Sequence, residues 1–471
     1  MAPATKVLVL LLFTWALSMG AASSQSVVKT LPGYPGDLPF KLETGYVSVG
    51  EMEDVHLFYY FIESEGNPRE DPLLLWLTGG PGCSAFSGLV YEIGPLNFDT
   101  QHFDGKFPKF ILNPYSWTKV SNIIFLDAPV GTGFSYADNW PGYVLDDLLA
   151  ATEVYHFLMK WLIDHPKFLL NELYIAGDSY SGLIVPNVVQ KIYQGNNKVG
   201  VQPLTRLKGY ILGNPVTNEH DDPNSRVKYA HRVALLSDGL YESTKNNCQG
   251  EYIDVDPSNA ACIRDLDIVN GCIKNIYLAQ ILEPNCAAAS PNSTKLKWDR
   301  RFFQDSPTSF LLPPLPAARK LWCRSYNYVL SDIWANDGLV EEALHVRKGT
   351  KEKWVRCNKT LSYAEDLLTS FYYHKNLSHT DLRALIYSGD HDMGVPYVAT
   401  HEWIEALELP VDDDWRPWFV NGQIAGYTMK YVKKGYHLTF ATVKGGGHTA
   451  PEYRPEECLA MLQRWLAYYA L

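Results

Sequence analysis

Short apolar runs bounded by glycine, proline, asparagine or aspartate recur along this chain. His56–Ile62, Leu73–Leu77, Asn122–Asp127, Glu172–Gly177, Lys208–Gly213 and Ala384–Ser388 each read as a buried strand. Between the third and fourth, Leu145–Ile163 carries Leu148, Ala151, Tyr155, Leu158, Met159 and Leu162 at helical spacing, and His165-Pro166 ends it. A last helix is predicted over Pro455–Tyr469. Strand, helix and strand in alternation argue for an α/β fold, a mostly parallel central sheet with helices on both faces.

The stretch from about 214 to 380 breaks that rhythm. It holds six of the eight cysteines, the run Leu311-Leu312-Pro313-Pro314-Leu315-Pro316 and the basic stretch Lys295–Arg301. It reads as an insertion or lid within a single domain spanning 23–471.

The N-terminus changes how the cysteines are read. Lys6 precedes an apolar run from Val7 to about Leu17, and the small residues Gly20, Ala21, Ala22 and Ser23 follow. That order predicts a signal peptide over 1–22, and the run is short of the ~20 residues a spanning helix needs. In an oxidising lumen most of the eight cysteines are expected as disulfides, and they include no CxxC pair that would suggest zinc or thioredoxin chemistry. Sequons at Asn292, Asn358 and Asn376 fit N-glycans on surface loops.

Composition then excludes some classes. With 46% apolar residues the chain is not disordered, and 41 Lys and Arg against 52 Asp and Glu give a formal charge of −11. So acidic a chain lacks the footprint of a nucleic-acid binder.

Three loops in order carry candidate chemistry. Ile175-Ala176-Gly177-Asp178-Ser179-Tyr180-Ser181-Gly182 follows a strand directly, and a serine on a sharp strand-to-helix turn needs small neighbours two positions away on each side. The helix after it is predicted to start near Leu183, with Pro186 in its first turn or kinking it. A serine hydroxyl becomes a nucleophile when a base accepts its proton and an acid orients that base. Gly389-Asp390-His391-Asp392 follows a later strand, and Gly445-Gly446-Gly447-His448 precedes the last helix. The order serine, acid, histidine is that of α/β-hydrolases, and the residues alone leave Asp390 and Asp392 open. Backbone N–H groups for an oxyanion are expected from Tyr180 and from Thr78-Gly79-Gly80-Pro81-Gly82, which lacks the GK[ST] of a phosphate loop.

Together, WLTGGPGCS at 76–84, FLDAPVGTGFSY at 125–136, GDSYSG at 177–182 and GDHDMGVP at 389–396 resemble the serine carboxypeptidase family of α/β-hydrolases over nearly the whole mature chain. The resemblance implies Ser179 as nucleophile, Asp392 as orienting acid, His448 as base, and Gly80 and Tyr180 as the oxyanion hole. It implies substrate contacts at Thr78, Gly79 and Asp178, with no cofactor or metal. It also implies disulfides Cys83–Cys357, Cys248–Cys262 and Cys286–Cys323, leaving Cys272 and Cys458 over. Some relatives are cut within the insertion, which makes 287–321 a candidate for excision.

Two positions depart from the peptidase pattern, which usually has Asn at 78 and Glu at 178 to help bind a peptide's terminal carboxylate. Thr78 and Asp178, with Ser181, Gly182 and the Cys286–Cys323 insertion, look like the plant serine carboxypeptidase-like acyltransferases. That branch implies a 1-O-acyl-glucose donor, an alcohol acceptor and, through the secretory pathway, a vacuolar destination, with the extracellular space as the alternative. The alternatives are a serine carboxypeptidase and a non-catalytic glycoprotein that keeps the fold as a binding module.

Overall fold

The computed structural model describes residues 25–50, 52–285 and 324–471. The predicted signal peptide over 1–22, Asn292, the expected Cys286–Cys323 pairing, the Lys295–Arg301 and Pro-rich stretches and the 287–321 excision candidate lie outside the described residues.

Eleven strands form one path through a large sheet. They are β1 (Ser26–Thr30), β2 (Asp37–Val49), β3 (Val55–Ile62), β4 (Leu73–Leu77), β5 (Asn122–Leu126), β6 (Glu172–Asp178), β7 (Arg206–Gly213), β8 (Arg383–Gly389), β9 (Val411–Val420), β10 (Gln423–Lys433) and β11 (Tyr436–Val443). Their spatial order is β1-β2-β3-β5-β4-β6-β7-β8-β11-β10-β9, and the two-residue strand Tyr136–Ala137 pairs with β3 off this path. The six strands from β5 to β11 are mutually parallel. Antiparallel strands extend both edges, β1 to β3 on one side and β9 to β10 on the other. All six sequence-predicted strands lie in this sheet.

Each central strand is buried on both faces because its side chains alternate between two helical layers. On β4, Leu73, Leu75 and Leu77 enter one core while Leu74 and Trp76 enter the other. The first core is covered by α1 (Asp147–Asp164) and α2 (Ser181–Asn196).

Helix α1 begins two residues later than its pattern suggests, because Asp146 accepts the Leu149 N–H and caps it. Its buried stripe is Ala150, Ala151, Val154, Phe157, Leu158, Met159, Trp161 and Leu162, whereas Leu148 faces solvent. Helix α2 starts at Ser181 rather than Leu183, which puts Pro186 in its second turn.

Between β7 and β8 the described chain adds no strand to the large sheet. It forms α3 (Asp221–Arg232), α4 (Asp238–Cys248), α5 (Ala260–Ile273), α6 (Arg324–Ala335), α7 (Gly338–Ala343) and α8 (Phe371–Leu377). Cys248–Cys262 staples α4 to α5. A separate apolar cluster joins Val227 and Tyr229 of α3 and Val269 of α5 to Met393 and Val398, so this region packs on the loop after β8. The chain ends through α9 (Tyr397–Glu405), α10 (Ala450–Tyr453) and α11 (Pro455–Leu466). Helix α11 stops three residues short of the predicted Tyr469, and its Leu459, Met461, Leu462 and Trp465 close the second core with Leu330 and Trp334 of α6.

Candidate active site

Strands β4, β6, β7, β8 and β11 are parallel, so the loops after them gather at one edge of the sheet. The turn after β6 is the sharpest. Ser179 has φ +56°, in the left-handed region that a non-glycine residue seldom adopts, and its N–H donates to Gly213 C=O at 2.9 Å. A Cβ on Gly177 would lie 2.5 Å from Leu77 O, and one on Gly182 2.4 Å from Val216 O. Only glycine fits there. Ser181 fits where a second glycine is common because its hydroxyl donates to Leu77 C=O at 2.9 Å.

Three side chains meet from loops far apart in sequence. His448 Nε2 is 2.7 Å from Ser179 Oγ, and His448 Nδ1 is 2.7 Å from Asp392 Oδ2. The carboxylate fixes the proton on Nδ1, so Nε2 accepts from the serine hydroxyl. Asp392 is fully buried, while 23% of the His448 side chain remains exposed and within reach of a reactant. Asp390 is turned elsewhere, its carboxylate accepting the Gly445 N–H at 2.7 Å. Burial works against a charged His448, but Asp392, with a smaller push from Asp178, outweighs it and holds the imidazole above its ordinary value.

The Gly-rich loop after β4 lies against this turn. A Cβ on Gly79 would stand 2.6 Å from Ser179 Cβ and 2.8 Å from Tyr180 N. Among the described residues, neither the Gly80 nor the Tyr180 N–H has a protein acceptor. Asp127 braces the loop, accepting from Ser84 Oγ at 2.6 Å and from the Ala85 and Phe134 N–H groups at 2.9 and 3.0 Å. That ties the motif at 125–136 to the motif at 76–84. Cys83–Cys357 anchors the same loop from the other side.

Thr78 and Asp178 both face protein partners. Thr78 Oγ1 accepts from the Trp76 indole at 3.2 Å, and Asp178 Oδ1 accepts the Gly79 N–H at 3.2 Å. Burial raises Asp178 to about 6. Beside them an apolar recess is lined by Gly79, Ala128, Tyr180, Ile184 and Tyr363.

Three further contributors are not among the residues the sequence motifs point to. Asn214, at the end of β7, donates to Asp392 Oδ2 at 2.9 Å and accepts the Gly389 N–H at 2.9 Å. Glu92 is buried with Oε2 unpartnered among the described residues, and burial together with the Asp178 charge pushes it well up. Residues 278–281 hydrogen-bond to both the Asp392 and His448 loops. The Asn-Pro after a strand hinted at the first; nothing local marks the others.

Of the two sequons within the described residues, Asn376 is exposed on α8, whereas Asn358 is half-buried and donates to Gly131 C=O at 3.0 Å. The disulfides Cys83–Cys357 and Cys248–Cys262 are formed, and Cys272 and Cys458 are free thiols. Among the described residues, no His, Cys, Asp and Glu cluster is arranged to hold a metal ion.

A serine on a strand-to-helix turn of a largely parallel sheet, with an imidazole and a carboxylate in series behind it, defines an α/β-hydrolase. The serine carboxypeptidase family model matches residues 32–468, so the chain belongs to that family. It is 47% identical over 461 residues to serine carboxypeptidase-like 2 of Arabidopsis thaliana, covering 98% of this chain and 97% of the relative. It is 48% identical to serine carboxypeptidase-like 1 of the same plant over the same shares. Among solved structures, the prohormone-processing carboxypeptidase Kex1 of Saccharomyces cerevisiae superposes with a TM-score of 0.69 over 94% of both chains at 17% identity, a likeness of fold.

Proposed function

We propose that this family member transfers an acyl group from a 1-O-acyl-glucose to an alcohol through an acyl-enzyme on Ser179. The observation that carries this reading is at Thr78 and Asp178. Thr78 Oγ1 accepts the Trp76 indole N–H and has no amide to donate. Asp178, one methylene shorter than Glu, is engaged through Oδ1 by the Gly79 N–H. Both stand at the positions where peptidases of this family help hold a peptide carboxylate. A glucose ester has no such carboxylate and loses nothing by their engagement.

The steps use groups already described. Ser179 Oγ attacks the ester carbonyl as His448 Nε2 takes its proton, and the developing oxyanion is met by the Gly80 and Tyr180 N–H groups. The bond to the anomeric oxygen breaks, and His448 returns the proton to the departing glucose. An acceptor hydroxyl then gives its proton to His448 and attacks the acyl carbon, which releases Ser179. No cofactor enters this cycle, and the small-molecule donor and acceptor are its only partners. The leader at 1–22 and the sequons suit a glycoprotein of the secretory pathway, with the vacuole as destination.

A specific observation favours a second reading, a serine carboxypeptidase. Glu92 and Asp178 are both pushed up, so in mild acid they carry protons that could be donated to a peptide's terminal carboxylate. Incubation with an acyl-glucose plus alcohol, and separately with a blocked dipeptide, separates the two. Transfer product with little peptide cleavage is expected; efficient cleavage without transfer selects the peptidase. If Ser179→Ala leaves every activity unchanged, the fold serves as a binding module instead.

A further inference from the structure

His448 stands at the end of Gly445-Gly446-Gly447, a run with no side chains to anchor it and wide backbone freedom. Its position must be imposed from outside, and the contacts that impose it come from the helical region between β7 and β8. His448 N–H donates to Ala279 C=O at 2.7 Å. On the opposite side of the same segment, Met393 and Gly394 N–H donate to Leu278 C=O at 2.8 and 3.1 Å, and Ile281 N–H donates to His391 C=O at 3.0 Å. The backbone of 278–281 thus forms a seam between the loop of the acid and the loop of the base.

Two side-chain fixings hold this seam. Buried Gln280 donates through Nε2 to Gly445 C=O at 3.1 Å and accepts the Leu282 N–H at 3.2 Å. Further along, Glu283 pairs with Arg324 at 3.0 Å, and Arg324 donates to Glu452 C=O at 3.2 Å. Glu452 in turn accepts from Thr449 Oγ1 at 2.8 Å and from Tyr328 OH at 2.9 Å. One fixing lies three residues before His448 and the other reaches the residues just after it. The contact is close, since a Cβ on Gly447 would come within 2.4 Å of Ala279 O.

We propose that residues 278–283, fixed by Gln280 and by the Glu283–Arg324–Glu452 chain, are a positioning strap that holds His448 in register with both Asp392 and Ser179. The inference rests on the reading of His448 as the base. It makes the inserted helical region part of the catalytic apparatus as well as a wall beside it. Displacing a reacting group by about 1 Å can cost on the order of 100-fold in rate, so a strap of this kind acts on kcat.

The test uses the full chain with Gln280→Leu, Arg324→Gln and the conservative Arg324→Lys, assayed with an acyl-glucose and an alcohol, or with a blocked dipeptide if that is the better substrate. Gln280→Leu and Arg324→Gln are expected to lower kcat about 10- to 100-fold with KM nearly unchanged. They should also move the acid limb of kcat/KM to lower pH, because a His448 held less firmly against Asp392 keeps its proton less well. The other charged groups facing His448, Asp178 on β6 and Arg226 on α3, are untouched. Arg324→Lys should recover part of the loss.

Normal kcat in Gln280→Leu and Arg324→Gln overturns the strap, as does a loss that matches the unfolded fraction with an unmoved pH limb. Should Gln280→Leu fail to fold, Arg324→Gln is read by the same criteria, because its side chain lies nearer the surface. His448→Ala is the control. If it stays active, the base reading falls and the strap with it; if it is dead while the strap variants are normal, only the strap falls.

Discussion

At the scale of single residues, the site is a set of side chains whose partners constrain what they can do. Ser179, with φ +56° and its hydroxyl 2.7 Å from His448, is placed to attack and to be relieved of its proton. Ser179→Ala should therefore lower kcat at least about 10^4-fold in the preferred assay, measured with the folded protein. Because Asp392 holds His448 above the ordinary imidazole value of 6.5, kcat/KM should rise with pH through a limb above 6.5, as His448, the proposed base, loses its proton. A limb at or below 6.5 would contradict the Asp392 contact. Thr78 and Asp178 are tested together. Thr78→Asn with Asp178→Glu should raise peptide cleavage relative to acyl transfer, compared as a ratio of kcat/KM values.

These residues were unevenly legible in the chain. Ser179 announces itself through Gly177 and Ser181, two positions away on each side, because a crowded turn admits only small residues there. Glu92 gives no such sign; its meaning comes from burial beside Asp178, a neighbour more than eighty positions away.

At the scale of elements, the loops that carry chemistry are stiff because other elements lean on them. The Gly-rich loop after β4 touches Ser179, is braced by Asp127 and is tied to Cys357 by a disulfide. Gly79→Ala should thus lower activity more sharply than stability, the added methyl pressing on Ser179 and Tyr180. Matched thermal unfolding and kcat measurements check this. A different element, the α4–α5 pair, is held by Cys248–Cys262 across a separation of 14 residues. Replacing both cysteines by alanine should cost about 3 kcal/mol from the freed loop of the unfolded chain, read from denaturant unfolding.

Strands β3 to β8 are visible as apolar runs because strands covered on both faces have no polar side to interrupt them. Strand β11, equally central, is not among those runs, its His437, Thr439 and Thr442 breaking the apolar sequence. Nor are strands β2, β9 and β10 at the sheet's edges, since their mixed burial breaks both the run and the alternation. Helix α1 buries Ala151, Leu158, Met159 and Leu162 as its spacing predicts, and only Leu148 departs, being apolar yet lying where no core faces it.

At the scale of the whole molecule, buried carboxyls set the response to pH. Burial raises Asp127, Asp178 and Asp332 to about 6, and Glu153 and Asp222 to about 7. Each binds its proton more tightly folded than unfolded, so its contribution to stability is complete below its unfolded value of 3.8 or 4.5. That contribution fades as pH rises through 6 to 7. His374 opposes them: burial lowers it to about 3, and its contribution is complete above 6.5 and lost as pH falls. His156, His401 and His437 are lowered in the same sense, but the raised carboxyls, with Glu92, Glu365, Asp390 and Glu452 added to the five, outnumber the four lowered imidazoles. The thermal midpoint should therefore be higher near pH 5 than near pH 7.5, and Asp222→Asn should flatten that slope. A midpoint that climbs toward neutrality would refute this balance.

The chain by itself determined the order of strand and turn, and with it the class of fold and the three candidate loops, because local crowding and continuous burial leave their mark on neighbouring residues. The family resemblance then named Asp392 over Asp390. Only the tertiary structure decided the contacts: Asp392 against His448, Asp390 against Gly445, and Asn214 and residues 278–281 beneath them. Those choices depend on hydrogen bonds between segments 55 to 178 residues apart, and a hydrogen bond has direction and reach that no linear spacing records.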